Sequence, residues 1–123
     1  MDDRALIETA AALARPFRPS ADCSAGTVAA ALLTEAGNVY TGVCVDVRCS
    51  LGFCAEHAAV AEMLKSREAH VQMVVAVDTT GAVVPPCGRC RELLMQICPK
   101  NTKTWVVLGL GEGRTLVEIL PAR

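Results

Sequence analysis

Cys87 and Cys90 stand three residues apart in the segment PPCGRCREL, residues 85–93, where a helix is expected to begin. Thiols at that spacing serve as a redox couple, as half of a structural zinc site, or as part of a catalytic one. The chain has no second Cys-x-x-Cys, so a metal site needs a further ligand from Cys23, Cys44, Cys49, Cys54, Cys98, His57 or His70. Cys54 has the most informative neighbours, FCAEHAAV, and it too stands at the expected start of a helix. Two helix N-termini aimed at one place bring free N–H groups and partial positive charge. Three thiolates outweigh one Zn²⁺, so such a centre needs that compensation, and Arg89 and Arg91 on either side of Cys90 could add to it. Three protein ligands with a fourth position left open define a catalytic zinc, which brings the pKa of a bound water towards neutrality. The chemistry then needs a proton carrier beside the water. Glu56, two residues after Cys54, is placed for that role on the first helical turn.

The elements that must position these residues can be read from pattern. A first helix is expected from about residue 3 to 15, with Asp2 and Asp3 at its N-terminus and Pro16 and Pro19 stopping it. Two strands follow, about 27–34 and 38–46, joined by the turn Glu35-Ala36-Gly37-Asn38. A helix should run from Cys54 to about Arg67, with Ala58, Ala59, Met63 and Leu64 forming much of its apolar side. VQMVVAVD, 71–78, is a near-continuous apolar run and reads as a strand buried on both faces. Residues 88–98 read as a helix with Leu93, Leu94 and Ile97 inward, 104–110 as a strand, and GEG as a loop. TLVEIL, 115–120, reads as a short last helix, although its length also permits a strand. This alternation predicts one α/β domain over residues 1–123, in three α/β/α layers. Its mixed sheet should have about five strands, or four plus a terminal helix, with right-handed crossovers after the hairpin.

The bulk numbers narrow the function classes. A length of 123 residues, 52% apolar and 20% charged, describes a globular chain able to bury one core. A net charge of −1 gives no basic footprint for tracking phosphates, so no nucleic-acid partner is expected. The N-terminus lacks the basic and apolar regions of a signal peptide, and no stretch is long enough to span a membrane. A soluble cytoplasmic protein is expected. Seven cysteines, an odd number at uneven spacing, do not suggest a disulfide framework.

C54-A-E56 followed by P86-C87-G-R-C90 resembles the signature of the zinc-dependent cytidine deaminase superfamily. The order of elements also fits that superfamily, so the resemblance extends over roughly the whole chain. TEAGNVYTG resembles the hairpin of small cytidine deaminases, VEILP their terminal segment, and PCGRCRELL the corresponding segment of blasticidin S deaminases. The resemblance implies that Cys54, Cys87 and Cys90 hold Zn²⁺ and that Glu56 shuttles protons as base and then acid. It implies that the Ala55 N–H holds the ring carbonyl and that the Pro85 carbonyl accepts from the amine. The implied reaction is hydrolysis of cytidine or deoxycytidine to uridine or deoxyuridine plus ammonia, in pyrimidine salvage, by a homotetramer acting on a small molecule.

Other positions depart from that pattern. Where the family carries Asn-x-Glu to grip the ribose, this chain has Cys44 and Asp46. Gly26 stands where an aromatic residue usually precedes the first strand, and the chain ends without the family's aromatic C-terminus, which leaves Phe53 as the candidate to pack on the base. His57 replaces an arginine that in the family bonds to the thiolates, so His57, Arg89 or Arg91 must take that place. Cys44 and Cys49 are expected near the pocket, Cys23 and Cys98 in the core, and His70, Glu62 and Glu68 on the surface. Two alternatives stay open: deamination of blasticidin S or another aminated heterocycle, and a zinc or redox module without catalysis.

Overall fold

The computed structural model describes residues 1–120. Three helices, α1 (Asp3–Ala11), α2 (Ala55–Lys65) and α3 (Gly88–Ile97), accompany six strands. The strands are β1 (Phe17–Ser20), β2 (Cys23–Thr34), β3 (Val39–Val47), β4 (Val71–Asp78), β5 (Trp105–Gly109) and β6 (Glu112–Thr115). Single 3₁₀ segments lie at Pro99–Lys103 and Leu116–Ile119. No helix among the described residues is long and apolar enough to cross a membrane.

The long apolar strand β2 is the axis of the sheet. β3 runs antiparallel along one of its edges, from Leu33 opposite Val39 to Cys23 opposite Val47. Its other edge is shared between β1, which faces Ala25, and β4, which faces Val28 to Thr34. β4 then pairs in parallel with β5, and β5 antiparallel with β6. Because β3 and β4 are both antiparallel to β2, they are parallel to each other. The helix after each, α2 and α3, therefore starts at the same carboxyl end of the sheet, where an open α/β sheet forms its binding crevice. This is how the fold brings residues 54 and 87 together.

Alternation along the strands builds a core on both faces. Ala30, Leu32, Val74 and Ala76 pack with Ala59, Val60 and Met63 of α2 and Leu94 of α3. Ala29, Ala31, Leu33, Val75 and Val77 pack on the other side with Leu6 and Ala10 of α1. The three layers and the doubly buried β4 agree with the sequence reading. α1 is capped by Asp2, whose Oδ1 accepts from the Ala5 N–H at 2.9 Å.

Four features differ from expectation. The sheet has six strands, because residues 17–20 return as β1 after Pro16 ends the helical region and residues 112–115 pair with β5 as β6. All four residues of β1 are exposed, and an edge strand tolerates Pro19. α1 stops at Ala11, and the following bonds, such as Leu13 N–H to Ala10 O, are of the tighter i→i−3 kind. TLVEIL is not an α-helix: Thr115 still belongs to β6, and Leu116–Ile119 form one 3₁₀ turn closed by a Thr115/Glu118 capping box. On α2 the buried stripe is Ala55, Glu56, Ala59, Val60 and Met63, whereas Leu64 faces solvent.

One buried side chain ties the layers together. Asn101, fully buried, accepts from the Val71 N–H at 2.8 Å and donates to the carbonyls of Leu94 and Ala69 at 2.9 and 3.1 Å. The end of α3 and the start of β4 are thereby joined through one amide.

Candidate metal centre and substrate cavity

Cys54 is the N-cap of α2 and Cys87 the N-cap of α3, both with extended backbone and without a side-chain capping bond. Cys90 is the third residue of α3. N-cap and third helical residue are close enough for each side chain to reach the other's backbone in a capping box, so Cys-x-x-Cys at a helix start places its two thiols side by side. The Sγ atoms of Cys87 and Cys90 are 3.5 Å apart, those of Cys54 and Cys87 also 3.5 Å, and all three lie within 4.8 Å of one another. Tetrahedral zinc with Zn–S bonds of about 2.3 Å separates its sulfurs by about 3.8 Å. The spacing therefore fits one ion and is far too long for a disulfide. Zn²⁺ is the cofactor this donor set suits.

The electrostatics agree. Burial opposes ionisation of Cys87, yet the Cys90 N–H, the neighbouring thiols and the Arg89 N–H hold its pKa below that of an ordinary thiol. Burial, then the bond from Cys87, raises that of Cys54. Burial and the nearby charge of Glu56 push Cys90 up strongly. Three crowded thiols cannot all become thiolates without a compensating charge, and a divalent cation supplies it. Glu56 is only 5% exposed. Burial raises its carboxyl above the usual range, against a smaller opposing effect of its own backbone N–H.

A cavity of about 480 Å³ opens beside this cluster. Its wall includes Cys54, Glu56, Cys87, Ala55, Phe53, Pro85, Arg89, Cys44 and Asp46, so most of the candidate residues come together. Each is held for a local reason. Phe53 forms a two-bond bridge to Val45, 3.0 Å in each direction, which docks the segment before α2 onto β3. The Val84 N–H donates to the Ala76 carbonyl at 2.8 Å and fixes the approach to Pro85. The Ala55 N–H, in the first helical turn, has no intrahelical acceptor.

The other end of the cavity is shaped by a β-bulge. Between the pairs Ala25–Val45 and Ala29–Val43, β2 carries three residues where β3 carries only Cys44. Gly26 makes this possible with φ 83°, and a Cβ there would lie 2.5 Å from the Arg15 carbonyl oxygen. No aromatic residue fits that position. The bulge aims Thr27 into the cavity, where its Oγ1 lies 3.0 Å from Cys44 Sγ and 3.4 Å from Asp46 Oδ2. The Val28 N–H donates to Cys44 Sγ at 3.3 Å.

Other expectations shift. Arg91 donates to the Ile119 carbonyl on the C-terminal 3₁₀ turn, so it takes that partner rather than a thiolate. His57 packs at 6.1 Å from the Phe53 ring, and its buried Nδ1 has no hydrogen-bond partner among the described residues. Cys49 is exposed and absent from the cavity wall, where Ser50 stands instead. Thr27 and Ser50 join the wall without a sequence motif of their own. Gly26 before Thr27 was the available sign of a bulge. Pro121 and the residues after it lie outside the described residues.

A family model for the cytidine and deoxycytidylate deaminase zinc-binding region matches residues 1–107. A cytidine deaminase of Halalkalibacterium halodurans is 36% identical over 100 residues, 76% of this chain and 74% of that one. The crystal structure of cytidine deaminase from Mycobacterium tuberculosis superposes with a TM-score of 0.81 at 30% identity, over 98% of this chain and 95% of that chain. That of the Burkholderia pseudomallei cytidine deaminase gives a TM-score of 0.76 at 29% identity, over 98% of each chain.

Proposed function

The chain belongs to the cytidine and deoxycytidylate deaminase zinc-binding family, and from that premise we propose the roles of its residues in the hydrolytic deamination of a cytosine nucleoside. The observation that carries the reading is the position of Glu56. It is buried on the wall of the cavity that also holds Cys54 and Cys87, with Cys90 behind them.

Cys54, Cys87 and Cys90 hold Zn²⁺, which supplies the Lewis acid that makes a water molecule acidic near neutral pH. Glu56 takes a proton from the attacking water and delivers it to the ring nitrogen next to the amine-bearing carbon. The C–O bond forms in that step; Glu56 then takes the remaining proton of the new hydroxyl and passes it to the amine, so that the oxygen becomes a carbonyl, the C–N bond breaks and ammonia leaves. Its position inside the protein keeps it basic enough for this exchange. The Ala55 N–H donates to the ring carbonyl, and the Pro85 carbonyl accepts from the amine before it departs. Phe53 covers the base. Cys44 and Asp46 face the sugar, while His57 and Arg89 border the centre and Arg91 braces α3 against the C-terminal turn.

The same reading makes residues 1–123 one domain acting on a small molecule in the cytoplasm, as a homotetramer in pyrimidine salvage, with neither nucleic acid nor membrane as partner. Light scattering with size-exclusion chromatography tests the tetramer. The substrate is tested by ammonia release from cytidine, deoxycytidine, cytosine and blasticidin S, using protein with its zinc content measured. Turnover of the nucleosides with about one zinc per chain is the expected result. Turnover of blasticidin S alone would move the substrate to that aminated heterocycle. Metal-free protein with a reversible Cys87–Cys90 disulfide would replace the enzyme by a redox module.

A further inference from the structure

The unassigned chemistry in this cavity lies at the bulge. Cys44 stands where a ribose-gripping amide was expected, and it has no amide to offer. Its sulfur already accepts from the Val28 N–H and touches the Thr27 hydroxyl. Among the described residues the only carboxylate on the cavity wall at this end is Asp46, and its Oδ2 receives the Thr27 hydroxyl at 3.4 Å and the Cys44 thiol at 3.7 Å. Its Oδ1 has no protein partner among the described residues. Nor do the neighbouring cations neutralise it: Arg48 pairs with Asp22 at 2.6 Å, and Arg18 donates to the Ala21 carbonyl.

The geometry points to Thr27 as a specificity-determining residue: placed between Cys44 Sγ and one oxygen of Asp46, its hydroxyl orients that carboxylate and leaves the other oxygen as the acceptor for a hydroxyl of the sugar. This rests on the nucleoside reading above. Thr27 is a positioning residue, since the bond to substrate is made by Asp46. A carboxylate free to rotate would lose part of that bond to the entropy of ordering it. The arrangement also explains how a shorter aspartate serves here. Gly26 lets β2 bulge towards β3, and Thr27 spans the gap between the strand and the carboxylate.

The experiment compares wild-type, Thr27→Val and Thr27→Ser zinc-loaded protein with two substrates, cytidine and the sugarless 1-methylcytosine. Valine keeps the shape and strand preference of threonine but removes the hydroxyl. Thr27→Val should raise KM for cytidine about fivefold to tenfold with kcat within about twofold, as expected for a lost bond to the bound ground state. It should leave kcat/KM for 1-methylcytosine unchanged, and Thr27→Ser should restore KM for cytidine. An unchanged KM, an equal loss on 1-methylcytosine, or failure of serine to rescue would each overturn the assignment. Calorimetric binding of uridine and 1-methyluracil to the same proteins gives a readout that needs no turnover. If wild-type deaminates neither substrate, the deaminase reading falls. The uridine affinity of Thr27→Val then still decides whether Thr27 sets recognition: a fivefold to tenfold loss upholds it and an unchanged affinity overturns it.

Discussion

Gly42 brings the sheet into close contact with α2, and substituting it with alanine tests the link between fold and chemistry. It sits on β3 opposite Ala30. A Cβ there would lie 2.5 Å from the Ala59 nitrogen, 2.6 Å from Ala58 Cβ and 2.7 Å from the Ala55 carbonyl oxygen, whereas ordinary contact begins near 3.4 Å. Two of those atoms are backbone, so no rotamer change makes room, and α2 must move off the sheet by roughly 1 Å. Over-packing of this kind costs about 1–3 kcal/mol. Part is offset by about 0.5–1 kcal/mol, because alanine leaves the unfolded chain less freedom than glycine. A net loss of about 1–2 kcal/mol lowers the thermal midpoint by about 4–8 °C in a chain of this size. The functional effect is larger than the thermal one. The displaced end of α2 carries Cys54 and Glu56, and a 1 Å misplacement costs on the order of 10²-fold in rate. Scanning calorimetry at fixed zinc and protein concentration, zinc analysis and steady-state deamination check this together. A Gly42→Ala protein with a midpoint within about 1 °C of wild-type and unchanged kcat would refute the close-approach argument.

Two further outcomes are expected. Glu56→Gln keeps the size of the side chain and removes its proton transfer, so kcat should fall by about 10³-fold while zinc stays near one per chain by elemental analysis. Asn101→Ala strands the buried Val71 N–H and the Leu94 carbonyl, bonded at 2.8 and 2.9 Å, and urea unfolding should show a loss of about 3 kcal/mol.

The readable part of this protein is local. Cys-x-x-Cys at a helix start puts two thiols together by helix geometry alone, and Cys-Ala-Glu at another start places a ligand and a carboxylate on one turn. The valine-rich 71–78 run and the Glu35–Asn38 turn are likewise short-range signals, and they gave β4 and the β2–β3 hairpin. The errors fall where long-range pairing overrode local preference. Two prolines near residues 17–20 spoke against a strand, yet the free edge of β2 accepts one. Glu112 and Gly113 read as loop and Thr115 as the start of the last helix, yet β5 offers residues 112–115 a strand partner. Leu64 fits an apolar helical face, but Gly42 lying under Ala55, Ala58 and Ala59 sets which side of α2 meets the sheet.

The sequence by itself determined that Cys87 and Cys90 form a pair and that Cys54 and Glu56 share one helical turn, because each pairing depends on residue type and on spacing at a helix start. Tertiary structure alone decided that Cys54 joins the pair 33 residues away, since that follows from β3 and β4 running parallel on either side of β2. It also decided the sugar end of the cavity. Thr27, Cys44 and Asp46 meet only across a bulged strand pair, and the register that brings them together is set by the whole sheet rather than by any one segment.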